Sequence, residues 1–74
     1  MKDVGIKERI KQFMNARNLS QNELANMIGY DQSNLSKVLN NDNRAVPAKL
    51  KELITEKTDI SRRWFFYGEG NMTL

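Results

Sequence analysis

Between Gln32 and Arg44 the chain gathers side chains that donate and accept hydrogen bonds: Gln32, Ser33, Asn34, Ser36, Lys37, Asn40 and Arg44. On a helix beginning near residue 32, Ser33, Lys37 and Asn40 stand opposite the apolar Leu35, Val38 and Leu39. Ser36 and Asn34 flank them, and Gln32 sits to one side in the leading turn. Amides, hydroxyls and an ammonium recognise other molecules; by themselves they make and break no bonds. An amide donates and accepts in one plane, a lysine reaches guanine acceptors or a phosphate, and serine hydroxyls are short, adaptable donors. A solvated helix face carries the same residue types. The choice between the two therefore depends on the elements that hold these residues.

The remaining chemistry is thin. Among 74 residues there is no cysteine and no histidine, which removes disulfides, thiolate and imidazole metal sites, and Cys- or His-based catalysis. Glu52, Glu56 and Asp59 are scattered, with none of the pairing that acid–base catalysis needs. The expectation is a protein that is not an enzyme and that needs neither cofactor nor metal. Twelve Lys/Arg against nine Asp/Glu leave a net charge of +3, a mild bias toward polyanions. No apolar run approaches the roughly 20 residues of a membrane span and no signal pattern opens the chain. A cytoplasmic protein without membrane contact is expected.

Apolar residues recur at helical spacing and nowhere alternate as in a strand. Ile6, Ile10, Phe13 and Met14 mark a first helix over about 5–17, and Asn18-Leu19 form a tight connection. Ser20-Gln21-Asn22-Glu23 is a capping box: the serine hydroxyl accepts the Glu23 N–H, and the glutamate reaches back to the Ser20 N–H. It opens a short helix with Leu24, Ala25 and Ile28, stopped by Gly29. Asp31 caps a third helix over about 32–40 with Leu35, Val38 and Leu39 inside. Residues 40–46 are loop formers, Pro47 suits the first turn of a fourth helix ending near Lys57, and its stripe is Val46, Leu50, Leu53 and Ile54. Ser61 caps a short fifth helix that Gly68 ends. The expected fold is all-α, five helices in one domain over residues 1–74.

Within residues 21–40 the spacing is restrictive. Ala25 falls where two helices cross, Gly29 four residues on makes the turn, and Leu35 and Val38 pack the second helix on the first, which is helix-turn-helix spacing. Here the chain resembles the Cro and lambda-repressor type, the XRE-like helix-turn-helix family. The runs Leu19-Ser20-Gln21-Asn22-Glu23-Leu24-Ala25, Ile28-Gly29-Tyr30 and Gln32-Ser33-Asn34-Leu35-Ser36 carry the likeness. Pro47 and the ending from Ile60 to Gly70 add to it, the latter similar to many prophage repressors.

The resemblance implies a lambda-repressor-like fold and sequence-specific binding of duplex DNA by a transcriptional regulator, a repressor above all, with helix three in the major groove. It implies that Gln32 reads adenine, with Ser33, Ser36 and Lys37 also at the bases. Gln21 then touches phosphate and braces Gln32, while Asn40 and Arg44 hold phosphates. Many members join helices one and three by a buried Arg–Glu pair; Met14 and Leu39 stand there, so an apolar contact is expected, a tolerable exchange. Asp31 and Asp42 offset Lys37 and Arg44, which implies modest non-specific affinity. The alternative is a protein-interaction module of the same fold, antitoxin-like or coactivator-like. The ending at Gly68-Glu69-Gly70 is where such proteins often pass into a linker, so the chain reads as a whole protein or as the N-terminal piece of a longer repressor.

Trp64, Phe65 and Phe66 point in three directions, about 100° apart on a helix, and one small core cannot bury all three. Trp64 and Phe65, four and five residues after Ile60, are expected inside. Phe66 is expected to be left outside and to form a weak two-fold homodimer interface through the C-terminal helix.

Overall fold

The computed structural model describes residues 3–41 and 43–74. Through them run five α-helices: α1 (Val4–Arg17), α2 (Gln21–Ile28), α3 (Gln32–Asn40), α4 (Ala48–Lys57) and α5 (Arg62–Tyr67). The all-α fold expected from the spacing is the one observed. Asp42, expected in the α3–α4 loop as an offset to local positive charge, lies outside the described residues.

The helix ends show why the elements stop where they do. Ser20 and Glu23 form the complete capping box, Oγ accepting from Glu23 N–H at 3.1 Å and Oε1 from Ser20 N–H at 3.0 Å. Asp31 Oδ2 accepts from Asn34 N–H at 2.9 Å, and Ser61 Oγ from Trp64 N–H. Asn18 ends α1 in the left-handed region at φ 56°, and the Leu19 N–H returns to the Met14 carbonyl at 2.8 Å, a local closure. Pro47 stands one residue before α4, at ψ 146°, because its extended backbone makes it the cap and not the first helical residue.

Ile10, Phe13 and Met14 of α1 meet Leu24, Ala25 and Ile28 of α2 and Leu35, Val38 and Leu39 of α3 in one apolar cluster. Val46, Leu50, Ile54, Ile60 and Phe65 complete it. Met14 and Leu39 are both buried. α2 packs on α3 and α4, and α1 on α5. A short antiparallel return closes the molecule. Ser61 N–H donates to Met72 O and Leu74 N–H to Asp59 O, with Ile60 opposite Thr73.

Candidate functional site

The site is built on α2, the turn at Gly29 and α3. Ala25 is 1 % exposed at the α2–α3 contact. Gly29 takes φ 73°, where its N–H returns to Ala25 O. Tyr30 N–H, at 2.9 Å, shares that carbonyl. Two helices thus leave the turn rigidly joined, and the outer side of α3 is presented as one surface.

On that surface Gln32, Ser33, Asn34, Lys37 and Asn40 are exposed and Ser36 is half-buried. The Asn40 Nδ2 donates to Ser36 Oγ at 3.1 Å, so these two expected contact residues orient each other. Gln21 is half-buried at the first position of α2 and Arg44 is exposed in the loop. Among the described residues no side-chain hydrogen bond joins Gln21 to Gln32. The arrangement can form hydrogen bonds and one charge-assisted contact through Lys37 with a partner met on an open face. No pocket opens on the described residues. Among them no group of acidic residues is placed to hold a metal ion, and no helix is long and apolar enough to cross a membrane.

Electrostatics at the periphery are local. The Ser20 main-chain N–H, and then its hydroxyl, hold the Glu23 carboxyl below its ordinary range. Hydrogen bonding from Arg17 does the same to Asp59. Arg17 also lies over the Phe13 ring, 5.2 Å from its centroid, in cation–π range.

At the other end, α5 distributes its aromatics by depth. Phe65 is fully buried and Trp64 half-buried, as their distance from Ile60 requires. Phe66 is half-buried against the core. Tyr67, one residue further, is 75 % exposed and its ring lies 6.4 Å from that of Phe66. The outermost aromatic is therefore Tyr67, because a further 100° turn carries it past the core that Phe66 still touches.

Four contributors were not foreseen from sequence: Tyr67, Asp3, Lys7 and Arg9. Lys7 lay open to detection, three residues before Ile10 and seven before Met14 on the apolar stripe of α1, where its charge disguised a buried position. Arg9 Nε donates to Phe65 O at 2.7 Å, across 56 residues, and Nη2 to Phe66 O at 3.3 Å. It satisfies carbonyls at the C-terminal end of α5.

Residues 2–65 match the family described as hepatocyte nuclear factor 1 (HNF-1), N terminus. The chain belongs to that family. It has no match among curated proteins and none among solved structures. The family match overturns the expected Cro and lambda-repressor, XRE-like membership, and with it the phage-repressor reading. Capped short helices, a small crossing residue and a left-handed glycine solve a packing problem that different families share, so their spacing reports geometry and not descent. What the membership carries at the coarse level is a role in transcription regulation.

Proposed function

We propose that this member of the HNF-1 N-terminal family is a protein-interaction module of a transcription-related protein, pairing with a second copy through its C-terminal helix. The role is one of binding, without a chemical step. The observation that carries it is Tyr67, 75 % exposed on α5 with its ring beside that of the half-buried Phe66, ring surface that a two-fold copy would remove from water. It accords with a family whose N-terminal domain serves dimerisation. The patch is small and gives a weak dimer. Sedimentation equilibrium across a concentration series tests this. The parent should pass from monomer to dimer, and the double variant Phe66→Ser, Tyr67→Ser should stay monomeric. A parent that remains monomeric throughout refutes the pairing.

A second reading is favoured by α3, whose exposed side presents Gln32, Ser33, Lys37 and Asn40 beside the exposed Arg44. In this reading α3 enters the major groove of duplex DNA, Gln32, Ser33, Ser36 and Lys37 meet base edges, and Gln21, Asn40 and Arg44 meet phosphates. Binding to random duplex DNA at several salt concentrations separates the two, because a module that binds only protein shows no such salt-dependent affinity.

A further inference from the structure

Lys7 is 2 % exposed, a depth at which a lysine needs a partner for its ammonium. Its Nζ donates to the main-chain carbonyl of Asn41 at 2.6 Å, from 34 residues away. Asn41 is the C-cap of α3, where carbonyls without helical partners carry partial negative charge. The same carbonyl accepts from the Arg44 N–H at 3.1 Å. Asn41 Oδ1 accepts in turn from the Asn43 N–H at 3.0 Å. Two residues beyond Arg44, the Val46 N–H donates to Asp3 Oδ2 at 2.8 Å. Asp3 makes this contact in place of a side-chain cap for α1, with its backbone in the left-handed region at φ 54°. That conformation is uncommon outside glycine, asparagine and aspartate.

We infer that Lys7 and Asp3 are positioning residues: a two-point polar latch by which the start of α1 sets the path of the α3–α4 loop and aims Arg44 at a nucleic-acid phosphate. The aim of Arg44 rests on the duplex-DNA reading. The latch brackets Arg44 on both sides, one contact falling on the carbonyl its own amide uses and the other two residues later. A loop tied at both ends loses little further freedom when its arginine binds, so more of the contact is realised as affinity.

Lys7→Met keeps a stem of similar length and removes the donors. The Asn41 carbonyl keeps the Arg44 N–H as a partner, and exchange at core amides distinguishes a loosened loop from a weakened fold. In Lys7→Met and in Asp3→Ala, amide exchange at Arg44 and Val46 should quicken by about tenfold or more, while Leu24 and Phe65 stay as in the parent. Asp3→Asn, which keeps an acceptor, should restore protection at Val46. On random duplex DNA, Lys7→Met and Arg44→Ala should each lower the salt slope by about one unit, and the double variant should lose no more than either. Unchanged exchange at both amides in folded Lys7→Met overturns the latch. Quickened exchange with an unchanged salt slope overturns the aim of Arg44. If the parent does not bind duplex DNA, the DNA reading and that aim fall together, and the exchange measurement alone decides the latch. Should Lys7→Met not fold, Asp3→Ala carries both measurements.

Discussion

At Gly29 the backbone lies at φ 73° and an added Cβ would meet nothing within 4 Å. The glycine is required by its dihedral angle and not by crowding, so Gly29→Ala should cost about 1–2 kcal/mol in backbone strain alone. Ala25 is the opposite case, a residue limited by space at the α2–α3 contact. Ala25→Leu should overpack that contact and destabilise by about 1–3 kcal/mol. Chemical denaturation of both variants checks the assignments; an Ala25→Leu protein as stable as its parent would mean that the helices do not meet there. For the DNA reading, Gln32→Ala should lose about 1–3 kcal/mol on a selected sequence and relax preference at one base pair. Equal losses on selected and random duplexes would remove Gln32 from base reading.

Between elements, a few polar contacts tie distant parts of the chain. Arg17 at the end of α1 donates to both carboxylate oxygens of Asp59, 42 residues away, next to the short return that Leu74 N–H makes to Asp59 O. The folded-state pKa of Asp59 is lowered below the ordinary 3.8, first by the Arg17 hydrogen bond. Its contribution is therefore present above that value and lost as pH falls through the folded value. Thermal melts of the parent and of Asp59→Asn should differ near neutrality and converge as pH drops below 3.8. A difference that persists into acid would assign the effect to something other than the ionised pair. The pair is exposed on both sides, so added salt should narrow the difference as well.

Taken as one body, the molecule measures 29 × 26 × 20 Å. The dimer and duplex-DNA readings together require two α3 helices about one DNA turn apart, roughly 34 Å. If both proposed readings hold, two selected half-sites spaced about 10 base pairs centre to centre should bind cooperatively, and inserting about 5 base pairs should abolish this. Equal cooperativity at both spacings would separate the dimer from the DNA. The sequence by itself determined the helices and their ends, since caps, left-handed glycines and apolar periods act over a few neighbouring residues. It also placed Ser33, Lys37 and Asn40 opposite the core, with Gln32 to one side, because one helix's geometry follows from its own spacing. Only the tertiary structure decided what distant parts share: Lys7 on Asn41, Asp3 on Val46, Arg9 on the end of α5, and Tyr67 as the outermost aromatic. Those outcomes depend on which helices pack together and how deeply, and a charge such as Lys7 is tolerated inside only once a carbonyl 34 residues away arrives to meet it.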